Sequence, residues 1–283
     1  MKKKKVIITV CVALCIVLVA LVRVFTPYLG RPFLIYCHGY TNYYGNKGSK
    51  EKFYLSGDLK KIDLFSSRES CVKFVRYCSD LEELTVYGYP YTFNIKDISN
   101  PNLKKLDMSG YGVNWSSLNN CTELKDLCIS FSDFYTTEDI SKLIKMETLS
   151  ILVNKTELSL NKLNELQNLR KLELNCKSDI DWVEPLQLKN LNELDIYCAN
   201  DIDCENLSNL ENLETLSLKT DGKITGLDKM DNVVEMYISS DQVTEDEICG
   251  MDSLKEITIH ITKLSEKVES TLREKGVTIK YID

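Results

Sequence analysis

With 283 residues, 43% of them hydrophobic, the chain is long and apolar enough to bury a large core, which excludes an intrinsically disordered protein. The formal charge of −7 hides an asymmetry: five of the 35 basic residues stand in the first 23 positions with no acid among them, leaving 30 basic against 42 acidic residues, a net of −12, in the rest. So acidic a body lacks the cationic surface that phosphate contacts need, which argues against a nucleic-acid partner, and two histidines (His38, His260) limit histidine chemistry.

The chain opens MKKKKVIITVCVALCIVLVALVRVF, a basic tail (residues 1–5) followed by an apolar run. From Val6 to Val22 the only polar side chain is Thr9. As a helix this stretch is about 26 Å long, near the short limit for crossing a bilayer. Arg23 can snorkel so that Val24 and Phe25 extend the span, and Tyr28 stands where an interfacial ring is expected. Residues 6–25 are therefore expected to be a transmembrane signal anchor. The alternative is a cleaved signal peptide, but no A-x-A site follows, and Leu14 before Cys15 does not suit a lipoprotein signal. Either way the lysines remain cytoplasmic and the body is expected outside.

Residues 26–58 fit no repeat and are crowded with rings, among them Tyr36, Tyr40, Tyr43, Tyr44, Phe53 and Tyr54. A juxtamembrane segment and N-terminal cap is the expectation; a platform for stacking sugars or peptides is the sharper alternative. In SRESCVKFVRYCSDL, Cys71, Phe74, Val75 and Cys78 would share one face of a helix covering the first return segment.

From Leu59 onward the pattern L-x-x-L-x-L, with conservative swaps, recurs ten times. It begins at Leu59, Leu81, Leu103, Leu124, Met146, Leu169, Leu191, Leu213, Val233 and Leu254, at offsets of 20 to 23 residues. In LRKLELN the alternation of Leu172 and Leu174 makes a short strand with an apolar inner side. The next dozen residues return the chain, carrying apolar residues such as Ile180, Val183 and Leu186. No single turn can bury this face, so the turns must stack and their strands join one parallel sheet. Strands need about 4.8 Å each and the return segments more, so the sheet is expected on the concave side of a bend. Residues 136–149 and 156–169 suggest a turn or two of helix, with Thr137–Glu138–Asp139 suiting a helix start; 221–233 leaves room for turns or 3₁₀ structure.

The segments NLRKLELN, NLNELDIY and NLETLSLK resemble the leucine-rich repeat family, specifically its bacterial 22-residue, internalin-like or SDS22-like class, over about Leu59 to Ile261. The resemblance implies a horseshoe and a non-catalytic binding role. The family's asparagine, eight residues after the first leucine, is matched by Asn154 alone; Tyr89, Tyr111, Ala199 and Asp221 stand elsewhere.

Of the eleven cysteines, nine lie beyond the apolar run without a C-x-x-C pair, so small buried hydrophobes is their expected role. Cys176 and Cys198 fall at equivalent places in adjacent repeats, but side chains on parallel strands aim poorly for a disulfide. Ser239 and His260 share the seventh position of consecutive repeats; without an orienting acid or a glycine-rich elbow, a solvated polar face is expected there rather than catalysis. At the C-terminus Leu264, Val268 and Leu272 mark a helix, Gly276 its stop, and VTIKYI a last strand.

The resulting expectation is an α/β solenoid with these parts: basic tail (1–5), anchor (6–25), aromatic cap (26–58), about ten repeats (59–261) and a C-terminal cap (262–283). No cofactor or metal is expected. The concave face is expected to recognise a protein or surface polymer, a basic or hydroxyl-rich one, through Phe65, Tyr87, Asp107, Glu173, Asp195, Tyr197, Tyr237 and His260. The alternatives are an intracellular SDS22-like scaffold that regulates an enzyme, and a secreted adhesin or carbohydrate binder.

Overall fold

The computed structural model describes residues 35–40, 50–55, 59–65, 75, 78–94, 98, 100–113, 115–131, 136–154, 157–260 and 263–282. The basic tail, the expected anchor at 6–25, and Cys71 and Phe74 lie outside the described residues, as do the side chains of Tyr40, Tyr43, Tyr44 and Phe65. Among the described residues no helix is long and apolar enough to cross a membrane.

Two strands, β1 (Ile35–Tyr40) and β2 (Lys50–Leu55), pair antiparallel. The repeats supply β3 (Lys61–Phe65), β4 (Glu83–Asn94), β5 (Lys105–Val113), β6 (Asp126–Phe131), β7 (Thr148–Val153), β9 (Lys171–Cys176), β11 (Glu193–Cys198), β13 (Thr215–Thr220), β15 (Glu235–Ser239) and β17 (Glu256–His260). With β18 (Thr278–Ile282) they form one parallel sheet of eleven strands in the order β3-β4-β5-β6-β7-β9-β11-β13-β15-β17-β18. Neighbours pair position for position, Leu172 with Leu194, Leu194 with Leu216, Leu216 with Met236. A one-residue slip would turn every buried leucine outward, so the repeat itself sets the register.

The core runs the length of the stack. The residues that open the repeats from Leu81 to Leu254 are at most 4% exposed, and Leu59 is half-buried. Each strand adds two inward side chains, such as Leu172 and Leu174, and the return segments close the other wall with residues such as Leu163, Leu186, Leu207 and Leu227.

The return side departs from expectation. Thr137–Ile140 and Leu163–Glu165 are 3₁₀ turns, not α-helix, as are Trp115–Asn120, Cys204–Leu207 and Leu227–Lys229. About a dozen residues must retrace the breadth of the layer, and 3₁₀ structure advances about 2.0 Å per residue against 1.5 Å in an α-helix. Short strands also pair there: β8 (Leu158–Ser159) with β10 (Ile180–Asp181), and β12 (Ile202–Asp203) with β14 (Lys223–Thr225) and β16 (Gln242–Val243). Val183, expected inside, is 51% exposed; Ile180, Leu186 and Leu188 fill the interior at that level.

Among the described residues α-helix is confined to α1 (Glu245–Ile248) and α2 (Glu266–Glu274). Val268 and Leu272 of α2 are buried against the last turn of the stack; Leu264 is buried too, but stands before the helix, whose N-cap is Ser265. Gly276 takes φ 80°, a left-handed conformation that favours glycine and reverses the chain into β18.

The polar ladder of the turns lies one residue earlier than the family resemblance implied. Strand alternation continues past the last leucine, so Cys176, Cys198, Thr220 and Ser240 point inward and meet loop carbonyls. Cys198 Sγ donates to Asn200 O at 3.5 Å, and Thr220 Oγ1 donates to the same carbonyl at 2.5 Å while accepting from Gly222 N at 2.9 Å. Burial pushes the Cys198 thiol up to about 11, so it stays protonated and donates at neutral pH. A second ladder uses the asparagine before the first leucine: Asn102, Asn168, Asn190 and Asn212 donate from Nδ2 to Ser79, Ile144, Gln167 and Lys189 carbonyls of the preceding repeat at 2.7 to 2.8 Å.

Candidate binding surface

Within each strand the residues between the buried leucines project from the open face. The register sets them in columns across the sheet. The fifth-position column runs Asp63, Thr85, Asp107, Cys128, Ser150, Glu173, Asp195, Ser217, Tyr237, Thr258, Lys280. The seventh-position column places Tyr87 two strands from Ser130, Tyr197 beside Asn175 and Lys219, and Ser239 beside His260. All the expected site residues thus share one face, with Phe65 placed by its backbone pairing to Tyr87.

They do not form one cluster. Near the first repeats, Tyr87 donates its hydroxyl to Asp107 Oδ2. Burial first, and Asp107 second, raise the Tyr87 phenol above its ordinary value, so it stays a donor. In the middle of the sheet Glu173 and Asp195 are register neighbours, with Ser150 Oγ donating to Glu173 Oε2 at 3.1 Å and Ser217 Oγ to Asp195 Oδ1 at 3.0 Å. Desolvation by the crowded strand surface raises the Asp195 carboxyl above its ordinary value; the Ser217 hydrogen bond opposes that rise and the charge of Glu173 adds to it. Lys219 Nζ lies 4.7 Å from the centre of the Tyr197 ring, a cation–π contact. Tyr237 is half-buried two strands away, in the other column.

Ser239 is a correction. Expected on a solvated face, it is fully buried, its Oγ 3.1 Å from His260 Nδ1. A nucleophile needs access and a base held by a third group; Ser239 has no exposure, and among the described residues no carboxylate is hydrogen-bonded to His260.

The sequence reading passed over a third column. The residue before the first inward strand side chain alternates in sign over the first four strands, from Lys61 to Asp126, and again at Lys171 and Glu193, so that Lys61 meets Glu83 at 3.3 Å and Lys171 meets Glu193 at 2.7 Å. One position earlier, Glu82 is held between Lys60 at 2.8 Å and Lys104 at 2.7 Å. The signal was present: opposite charges written 22 residues apart become cross-strand neighbours once the period is known. These pairs engage lysines along the edge of this face, while the charges of Lys171 and Lys219 also act on the fifth-position carboxyl of Asp195.

Stacked strands and return segments, eleven strands in one parallel sheet and a leucine core define a leucine-rich repeat solenoid. Solved structures of that fold are similar: an internalin (inlF) from Listeria monocytogenes, at 14% identity and TM-score 0.50, covering 84% of this chain and 87% of that one, and the TLR13–ssRNA13 complex, at 18% identity and TM-score 0.52, covering 80% of this chain and 39% of that one. The plant peptide hormone receptor RGFR1 in complex with RGF2 aligns with a TM-score of 0.47 at 14% identity over 80% of this chain and 43% of its own. At these identities the likeness to the internalin and to TLR13 is one of fold. No protein-family model and no curated protein matches the sequence.

Proposed function

We propose that the chain is a non-catalytic binding module of a bacterial cell surface, anchored by residues 6–25 and displaying its repeats outside, where the concave sheet face takes up a protein or surface polymer. The observation that carries the reading is the open sheet itself. Its strands are fixed by the core beneath, so rows of side chains stand preorganised on a rigid surface, with few left free to collapse on binding. A protein of the same fold carries a macromolecule in the TLR13–ssRNA13 complex. The acidic charge of this body favours a protein over a nucleic acid. Export rests on the lysine-rich start and the apolar run that follows it.

The test is protease shaving of intact cells with mass spectrometry of released and retained fragments. Repeat peptides in the supernatant, with a fragment containing residues 6–23 held in the membrane, support the anchored, outward-facing module. Repeats protected until lysis overturn it in favour of an intracellular scaffold. Repeats recovered in the culture medium from unshaved cells point instead to a secreted binder.

A further inference from the structure

We propose that β18 is a self-association edge: two copies of this chain pair their β18 strands antiparallel about a twofold axis at Lys280, joining their sheets into one. The inference goes beyond the binding role of the concave face and does not depend on it.

β18 ends the eleven-stranded sheet, with β17 as its one strand neighbour among the described residues. Thr278 N donates to Lys255 O at 2.8 Å, so strand alternation turns the backbone groups of Thr278, Lys280 and Ile282 toward β17. Those of Ile279 and Tyr281 turn to the free edge, where unpaired N–H and C=O groups form a template for another strand. The side chains of these two residues continue the inward rows of Ile257 and Ile259. Ile257 and Ile259 are at most 1% exposed, whereas Ile279 is half-buried and Tyr281 is 36% exposed, because no strand stands beyond them. Ile282, on the open face, is 50% exposed. The edge thus gathers apolar surface that a further strand would cover.

The strand is its own complement, which selects a second copy as the occupant. An antiparallel pair centred on Lys280 sets Ile279 of each copy opposite Tyr281 of the other. In that arrangement opposed residues exchange both N–H···O bonds, and Ile279 and Tyr281 are the residues whose groups face outward. The same register packs isoleucine against tyrosine on the inner face, a favourable cross-strand pair, and sets Thr278 opposite Ile282 on the open face. Lys280 then meets Lys280 of the second copy, a like-charge contact that opposes pairing. Glu256 holds each of these ammonium groups from the neighbouring strand and offsets that repulsion.

Behind the sheet, the Tyr281 hydroxyl donates to Glu269 of α2, which ties the helix to the edge strand. Strands need about 4.8 Å each and packed helices about 8–10 Å, so the joined solenoids bend the same way and their concave faces run on as one. An edge of five residues buries less than the roughly 1,200 Å² of a stable complex, so the dimer is weak, with a Kd in roughly the micromolar range or above.

Sedimentation equilibrium of the full chain in detergent micelles, from about 1 to 200 μM, is expected to show exchange between monomer and dimer. Ile279→Pro removes an edge N–H that the β17–β18 ladder does not use, and should weaken the dimer by about tenfold or more. Its melting curve checks that it folds. Lys280→Cys tests the register independently: Cα atoms of opposed residues without mutual hydrogen bonds lie about 4.5 Å apart, within reach of a disulfide. Oxidation with copper phenanthroline should cross-link this variant into a dimer. Glu211→Cys, in an exposed turn before β13, should cross-link no more than the parent. A monomer at every concentration, a dimer that Ile279→Pro leaves unchanged, or Lys280→Cys cross-linking no better than Glu211→Cys overturns the proposal. Species larger than a dimer would mean head-to-tail pairing of β18 with β3, the other end of the sheet, and overturn the twofold axis. None of these outcomes bears on the concave-face reading, which the protease experiment tests separately.

Discussion

Glu82 is the clearest case of one residue whose charge state is set by the repeat. Hydrogen bonds from Lys104 and Lys60 hold its carboxyl down to about 2, from an ordinary 4.5. Because its folded value is depressed, its contribution to stability is present above pH 4.5 and is lost as pH falls through about 2. Glu82→Gln should therefore flatten the acid limb of stability between those values, and 1 M salt should shrink the difference, since the group is solvent-accessible. Carbon-detected NMR titration of Glu82 reads it directly; a midpoint near 4.5 would overturn the assignment. Thr220 belongs to the same scale but to the interior. Its hydroxyl serves both Asn200 O and Gly222 N, so Thr220→Val strips two backbone groups of a partner at nearly constant volume. A loss of about 1–3 kcal/mol in denaturant unfolding is expected. Asp195 carries the opposite sign: its raised carboxyl is a group the fold ionises at a cost, and substitution by asparagine relieves that near neutral pH.

An element here is a strand, a turn and a return segment, and it is held to its neighbours by more than leucines. The asparagine before the first leucine reaches back to a carbonyl of the previous repeat at Asn102, Asn168, Asn190 and Asn212. Each bond is exposed, so a single change such as Asn190→Ala should cost about 0.5–1.5 kcal/mol. Asn168→Ala, Asn190→Ala and Asn212→Ala together should lose more than the sum of the singles, because they act on successive junctions of one stack. Urea unfolding of the three singles and the triple measures this, and strict additivity would show the junctions to be independent. The turn at Gly222 is tight for a different reason. A Cβ there would meet the backbone of Asn200 and Asp201 at 2.7 Å, a distance that neither neighbour can yield without moving the adjacent repeat.

At the scale of the whole molecule, stability spreads along one axis, because each repeat packs on its neighbours alone. Leu194→Ala in the centre of the sheet should cost about 2–5 kcal/mol, and hydrogen exchange should rise first in β9, β11 and β13 rather than across all eleven strands. The architecture was legible in the sequence: a 20-to-23-residue beat of leucines cannot be buried except by stacking, and strand alternation fixes which side chains face in. So were the columns of the open face, since position within the repeat determines position on the sheet. The return side was not legible. Whether a dozen residues form α-helix or 3₁₀ turns depends on the span they must cover between neighbours, and Val183 faces water because Ile180, Leu186 and Leu188 already fill the interior. The burial of Ser239 under its neighbours, the pairing of Lys171 with Glu193 and the seating of Lys219 over the Tyr197 ring were likewise settled only in three dimensions. Periodicity determines which residues become neighbours; packing and competing hydrogen bonds decide which of those neighbours engage one another and which remain open to a partner.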